Sequence, residues 1–254
     1  MGISGRDWVV LASDTRLSEG YVIKSRNVSK LFELSPGTYL AASGCLSDTA
    51  ALSKVLQHEL RLYAWQNERP APSVTVLAHL LSVVLYNRRQ FPYFSLCAVA
   101  GLDERGCGAL YRFDAVGSFE RVQAVCAGKG EQLIQPMLDV VTRMEEEDAD
   151  TSLFDGGAVA MVKHDLDVEG ACALIVRAFK AAAEREITVG DGVDLCIIRH
   201  VEAGDAEEGD GATVRATGKR VAGQRWLLAQ QQRRREGRRA AFTVERRSAA
   251  LPRH

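Results

Sequence analysis

Apolar residues in the first part of the chain fall into short runs typical of strands and longer stretches with helical spacing. A short apolar run bounded by polar residues or turn signals predicts a buried strand. Such runs lie at Trp8–Ala12, Tyr21–Ile23, Leu31–Leu34 and Thr38–Ser43. The apolar residues that follow recur every three or four positions, which is the spacing of one helix face. This predicts one helix capped by Ser47 or Asp48 and ending at Tyr63, and a second helix capped by Ser73.

The second half of the chain repeats the order of strands followed by two helices. Strands are predicted at Ser95–Gly101, Gly108–Phe113 and Ser118–Ala127, helices at Glu131–Val141 and Val168–Arg185, and a last strand at Val193–His200. Two adjacent helices cannot each cover one strand, as they would in a βαβ repeat. Helices on the outer faces of two stacked antiparallel sheets fit this order better. The pattern therefore favours an α+β fold, a four-layer αββα sandwich.

The composition changes from Ala203 onward. Residues 204–254 carry 12 Lys and Arg against 6 Asp and Glu, whereas residues 1–203 carry 20 against 27. The only local apolar cluster in this last part is Trp226-Leu227-Leu228, which is too little apolar surface to offset the entropy of ordering the segment. We expect a folded domain over 1–203 and a disordered, low-complexity extension over 204–254, with at most a short helix near Trp226–Arg235.

Several classes of function find no support in the sequence. The six cysteines include no C-x-x-C pair and the five histidines form no zinc motif, so we expect no metal site. Gly128-Lys129-Gly130 lacks the hydroxyl residue and the earlier glycine of a P-loop, and we expect no cofactor. No apolar run approaches the ~18 residues of a membrane helix, and no signal peptide is recognisable. We therefore expect reduced thiols, no membrane partner, and a location in the cytoplasm and nucleus.

The arginine run Arg233–Arg239 leaves two interpretations open. A basic segment can bind RNA or act as a nuclear localisation signal. It can equally be a solvated extension that binds nothing. Because the whole chain has a net charge of −1, we do not expect nucleic acid to be a general partner.

The first long strand ends in residues that can carry chemistry, and other distinctive segments follow it. Trp8–Ala12 leads into Ser13-Asp14-Thr15-Arg16, so a buried strand presents an Asp and an Arg at its far end. The other segments are Tyr86–Tyr93, Gly101–Glu104, Ala109–Phe119 and Ala183–Glu186. Together they resemble proteasome β-type subunits, from Met1 to about Val201. The Arg-Arg-x-Phe-Pro-Tyr and Phe-Asp-x-Val-Gly-Ser segments are most similar to the non-catalytic branch called beta type-1 or beta-6.

The resemblance implies a fold, a complex and a set of partners. The fold is the four-layer sandwich of N-terminal nucleophile hydrolases, in agreement with the pattern of elements. The complex is the 20S proteasome core, in which sibling subunits degrade proteins to peptides. The partners would be other β and α subunits in stacked rings, and unfolded protein substrates would be met only indirectly.

The resemblance also implies which residues would matter for catalysis. In catalytic members an N-terminal threonine attacks the peptide carbonyl and its own α-amine accepts the proton. Asp14 and Lys30 stand where those members have a supporting Asp and Lys, but the matching threonine would precede Met1. Lys129 and Glu131 replace hydroxyl residues of a Gly-Ser-Gly-Ser-like turn, and Val189 replaces another hydroxyl residue. We therefore expect no catalytic residue here, with Asp14 and Lys30 as vestigial family positions that form an ion pair.

Two alternatives for catalysis stay open at this point. If Met1 is a misassigned start, an upstream threonine would make the chain an active threonine-type endopeptidase. Within the chain, Ser4 and Thr15 are the first hydroxyl residues. The flanks of Ser4 do not resemble a processing site, and exposing Thr15 as an N-terminus would destroy the first strand. We therefore expect a structural subunit whose function is assembly.

Overall fold

Two five-stranded antiparallel sheets lie face to face, and a pair of helices covers the outer face of each. The computed structural model describes residues 1–67, 72–147, 166–201 and 241–251. The strands are β1 (Gly2–Ser4), β2 (Trp8–Asp14), β3 (Leu17–Glu19), β4 (Val22–Ser25), β5 (Leu31–Ser35), β6 (Thr38–Gly44), β7 (Ser95–Leu102), β8 (Gly108–Phe113), β9 (Phe119–Arg121), β10 (Ala124–Val125), β11 (Gly192–Val201) and β12 (Ala241–Ala250). The helices are α1 (Leu46–Gln66), α2 (Val74–Tyr86), α3 (Glu131–Glu147) and α4 (Val168–Ala183).

The order of layers confirms the predicted αββα sandwich. The first sheet has the strand order β10-β1-β2-β11-β12 and the second has β5-β6-β7-β8-β9, while β3 and β4 form a separate hairpin. Helices α3 and α4 pack on the first sheet, and α1 and α2 pack on the second. Of the helices in the described part of the chain, none is long and apolar enough to cross a lipid bilayer.

Alternating side chains of the central strands supply three separate layers of core. In β2, Val9 and Leu11 point toward the second sheet, whereas Val10 and Ala12 point toward the helices on the first sheet. A strand that is buried on both faces is a continuous apolar run rather than an alternating one. This double burial explains why the sequence predicts β2 so clearly.

Several strands differ from the sequence prediction, most clearly those between residues 118 and 127 and at the N-terminus. The stretch 118–127, predicted as one strand, forms two strands in different sheets, because β9 pairs with β8 and β10 pairs with β1. The chain crosses between the sheets at Val122 and Gln123. Val122 N donates to Leu110 O at 2.9 Å, and Gln123 O accepts from Ser4 N at 2.7 Å. β1 lies outside the predicted strands because three residues are too short a run to show periodicity.

The helix boundaries agree with the prediction at α2 and differ at α1 and α3. The Ser73 side chain caps α2 as predicted. Helix α1 begins two or three residues earlier than its predicted caps suggest, with Cys45 as the capping position. Asp48 Oδ2 accepts a hydrogen bond from Phe94 N at 2.9 Å, so this carboxylate fixes the loop before β7. Helix α3 continues beyond its predicted end at Val141.

The prediction of a disordered extension over 204–254 is wrong for its last part. Residues 241–250 form β12, which pairs with β11 along its whole length, from Val201↔Ala241 to Gly192↔Ala250. Leu251 then packs into the core under α3 and α4. Residues 202–240, with the helix expected near Trp226–Arg235, lie outside the described residues. The domain boundary at 203 therefore stays a prediction.

We predict that removing residues 241–254 destabilises the chain. The deletion leaves the edge of β11 unpaired and empties the site of Leu251. Losing that side chain and several backbone hydrogen bonds should lower the free energy of unfolding by at least about 3 kcal/mol. Urea unfolding followed by circular dichroism measures the change. Removing 252–254 alone keeps every described contact, so equal stability of the two shortened chains would contradict the assignment of β12.

Candidate functional site

A cavity of about 210 Å³ opens where the ends of several strands meet two turns. Its wall comes from the end of β2, Lys30, the end of β6, the turn before α3 and the segment between α4 and β11. Both Asp14 and Lys30, the residues singled out from the sequence, line this cavity. Because it gathers polar residues that are distant along the chain into one concave site, we treat it as the candidate functional site.

Asp14 and Lys30 form a short ion pair on the cavity wall. Lys30 Nζ donates to Asp14 Oδ1 at 2.7 Å. The two side chains are 19% and 13% exposed, respectively, so the pair is partly shielded from water and less screened than a surface pair. The structure thus brings these two residues together at the end of β2. A vestigial rather than catalytic role for them stays a prediction.

Three residues of the cavity wall carry a buried oxygen that has no hydrogen-bond partner within the described ranges. These atoms are Ser13 Oγ, Asp14 Oδ2 and Ser43 Oγ. A buried polar atom without a partner costs about 1–3 kcal/mol. Because these three atoms are closed to solvent, the cost is borne by the wall itself.

The turn Gly128-Lys129-Gly130 forms another part of the cavity wall. Gly128 has a φ of 118°, a conformation that favours glycine. Val189 lines the cavity next to this turn, since a Cβ added to Gly130 would lie 3.2 Å from Val189 Cγ2. Glu131 lies outside the wall, and its Oε1 accepts from Arg112 Nη2 at 3.1 Å. Lys129 and Val189 thus occupy cavity positions where the resemblance would place hydroxyl groups.

Sequence reasoning missed a charged network beside the cavity. Asp191 Oδ2 accepts from Arg16 Nε at 2.8 Å, and Asp191 Oδ1 accepts from Arg26 Nη1. Arg16 Nη1 also donates to Ile187 O at 2.7 Å, two residues before Val189. Asp191 has a φ of 67°, which is uncommon for a residue with a side chain. The sequence offered one clue to this network. Asp191 lies between Gly190 and Gly192, just before the strand predicted at Val193–His200.

Neither hydroxyl residue considered as an internal nucleophile lines the cavity. Thr15 Oγ1 donates to Arg26 O at 2.9 Å, and Ser4 Oγ donates to Gln123 O at 3.2 Å. Cys126 does line the cavity, but burial raises the pKa of its thiol and keeps it protonated near neutral pH. Within the described ranges, no three His, Cys, Asp or Glu side chains come together in a way that could hold a metal ion.

Known proteins resemble this chain over most of its length. A family model described as "Proteasome subunit" matches residues 1–153. A proteasome subunit beta type-1 of Danio rerio is 36% identical over 199 residues, which cover 78% of each chain. The protein of the same name in Arabidopsis thaliana is 37% identical over 205 residues, or 78% of this chain and 86% of the relative. A proteasome subunit beta type-6 of Saccharomyces cerevisiae is 35% identical over 201 residues, or 78% and 81%.

We predict that Asp191→Asn destabilises the chain. Asparagine tolerates the left-handed backbone, but it leaves Arg16, whose side chain is 2% exposed, without a counter-charge. Breaking a buried pair in this way costs about 3–5 kcal/mol, which urea unfolding at neutral pH measures. The matched control is Glu19→Gln, which breaks the exposed pair with Lys24 and should cost less than about 1 kcal/mol. Equal losses in the two variants would contradict a structural role for Asp191.

The same carboxylate should make stability depend on pH. Hydrogen bonds from Arg16 and then Arg26 hold the pKa of Asp191 below its ordinary value. Its contribution is therefore complete above the pKa of the unfolded chain and is lost as pH falls through the lower folded-state pKa. We predict that the stability gap between wild type and Asp191→Asn shrinks below about pH 4. A gap that stays constant from neutral pH to about pH 3 would show that the charge is not responsible.

Proposed function

This chain belongs to the proteasome subunit family, and we propose that it is a structural, non-catalytic subunit in the β ring of a 20S core particle. Relatives named beta type-1 and beta type-6 match 78% of its length. Its function in this proposal is to occupy one ring position and to contact sibling β and α subunits. The siblings would then carry out the cleavage of unfolded proteins.

The observation that carries the non-catalytic part of the proposal is the make-up of the cavity wall. Lys129 and Val189 line the same cavity as Asp14 and Lys30, and they stand where catalytic members have hydroxyl groups. An isopropyl group can neither donate nor accept a hydrogen bond, so Val189 cannot orient an attacking amine or hydroxyl. In this proposal the Asp14–Lys30 pair holds the end of β2 against the segment before β5.

One observation favours a second candidate function, that of an active threonine-type endopeptidase. The Asp14–Lys30 pair is intact at 2.7 Å and shares the cavity wall with Ser13 and Ser43, whose hydroxyl oxygens have no hydrogen-bond partner among the described residues. In this alternative, Lys30 would favour the neutral form of a nearby amine and Asp14 would hold Lys30 in place. We favour the structural function because the alternative must operate without a hydroxyl at Val189.

A nucleic-acid-binding function of the basic extension has less support. Arg246 lies over the ring of Tyr39, 5.2 Å from its centroid, and Arg247 pairs with Glu169 and Glu245. These two arginines are therefore engaged within the protein. The run Arg233–Arg239 lies outside the described residues. Action of the subunit in the cytoplasm and nucleus likewise stays a prediction.

We predict that Lys30→Ala leaves the peptidase activities of the particle unchanged. Particles containing wild type or Lys30→Ala would be purified from the protein's own cells. They would be assayed with peptides that carry an acidic, a basic or an apolar residue before the cleaved bond. Each rate, normalised to the amount of this chain in the particle, should stay within about twofold of wild type, because no step of catalysis uses Lys30.

Lys24→Ala is the matched control for this assay. It removes a lysine of the same region whose ion pair with Glu19 is exposed. Because Lys24 does not line the cavity, this control shows how the assay responds to the loss of a lysine elsewhere in this region. If Lys30→Ala lowered one of the three rates about 100-fold and Lys24→Ala lowered none, this chain would be an active endopeptidase subunit.

A further inference from the structure

Helix α2 contains no charged residue, although one of its faces is open to solvent. From Val74 to Tyr86 there is no Asp, Glu, Lys or Arg. Its inner face packs into the core of the second sheet through Leu77, Leu81 and Leu85. Its outer face exposes Val83 and Tyr86, which are 57% and 54% accessible, and Val76, which is 40% accessible. His79 is exposed on the same face, between Val76 and Val83, and its Nδ1 lies 2.9 Å from Thr75 O. The helix is therefore predominantly apolar on both faces.

A mostly apolar outer face without any Asp, Glu, Lys or Arg is unusual for a surface helix, which normally has charged and polar residues there. The turn at Val116, whose side chain is also exposed, extends this face, because Ser82 Oγ donates to Gly117 O at 2.6 Å and holds the turn against α2. We call Val76, Val83, Tyr86 and Val116 together the α2 surface. Several exposed apolar residues on one face, interrupted only by His79, favour a surface that another molecule covers.

Two arginines give the C-terminal end of the α2 surface a positive charge. The Arg89 guanidinium lies 4.5 Å from the centroid of the Tyr86 ring, and the Arg88 guanidinium lies 5.4 Å from that of Tyr93. Among the described residues, neither guanidinium has a carboxylate partner at ion-pair distance. Stacking on an aromatic ring restrains a guanidinium while leaving N–H groups free to bind a carboxylate.

The charge of this surface argues against a second copy of the chain as the molecule that covers it. The α2 surface has no carboxylate of its own. In the adjoining turn, Asp114 Oδ1 already accepts from the backbone N–H groups of residues 116–118. In a two-fold pairing of α2 surfaces, neither copy would therefore supply counter-charges from this surface to the guanidinium groups of the other.

We propose that the α2 surface is a docking site for a sibling subunit that presents an apolar strip bordered by carboxylates. The strip covers Val76, Val83 and Val116, and the carboxylates pair with Arg88 and Arg89. Stacked arginines at an interface give orientation as well as affinity, so this end of the surface sets the register of the contact. The inference rests on the proposed function, since it requires sibling subunits in one particle.

Competitive incorporation in the protein's own cells tests the proposal. A tagged variant and a differently tagged wild-type chain are expressed together, and their ratio in the purified particle is divided by their ratio in the lysate. Val83→Asp and Arg89→Glu should each lower this quotient about tenfold or more, because the first buries a charge under the apolar strip and the second places a negative charge against carboxylates. Arg89→Lys, which keeps the charge, should have a smaller effect than Arg89→Glu.

Matched controls and a cross-linking experiment separate the possible outcomes. Val22→Asp changes a valine on β4 whose exposure (59%) is similar to that of Val83 (57%). Arg105→Glu reverses the charge of an exposed arginine in the β7–β8 turn. Both variants should keep a quotient near one. A photo-crosslinker at Val83 should join this chain to a sibling peptide rich in Asp or Glu.

Three results would overturn parts of the account, and they can be told apart. If wild type does not enter a large particle, the proposed function fails and the inference fails with it. If wild type enters and Val83→Asp enters equally well, only the docking site is wrong. A cross-link from Val83 to a second copy of this chain would contradict the choice of a sibling as the partner.

Discussion

The carboxylate of Asp191, held between Arg16 and Arg26, is the interaction on which the geometry of the site depends. It joins the residues after β2, the residues after β4 and the start of β11. Arg16 also binds the carbonyl of Ile187, so one buried guanidinium fixes both the end of β2 and the segment that carries Val189. A buried charge requires such a partner, because desolvation would otherwise cost more than the fold can supply.

The fold alone does not determine whether the cavity is catalytic. Two stacked sheets bring Asp14, Lys30, Lys129 and Val189 to one wall. Whether such a wall catalyses a reaction depends on a few side chains, since one fold can carry active and inactive sites. Here the charged pair is present, and a lysine and a valine stand at two positions where the family resemblance would place hydroxyl groups. The same sequence carries an apolar, uncharged α2, which is consistent with a chain whose specialised feature is contact with neighbours.

The sequence predicts the elements whose pattern is dictated by burial. β2 is a continuous apolar run because it is covered on both faces, and α2 has a serine cap and a clear apolar stripe. The proximity of Asp14 and Lys30 came from the family resemblance rather than from any pattern. In contrast, β12 has few buried side chains, and its position is specified by pairing with β11. The Arg16–Asp191 pair spans 175 positions, and a single sequence gives no information about such distant contacts.

Native mass spectrometry of the complex that co-purifies with this chain, with the mature N-terminus read from the same sample, tests the central claim most directly. The account predicts a large particle of sibling α and β subunits in which this chain is present at one copy per β ring. It also predicts that the mature chain does not begin with threonine. A monomer or a complex without sibling subunits would contradict the assignment to the β ring. A mature N-terminal threonine within the particle would contradict the non-catalytic function.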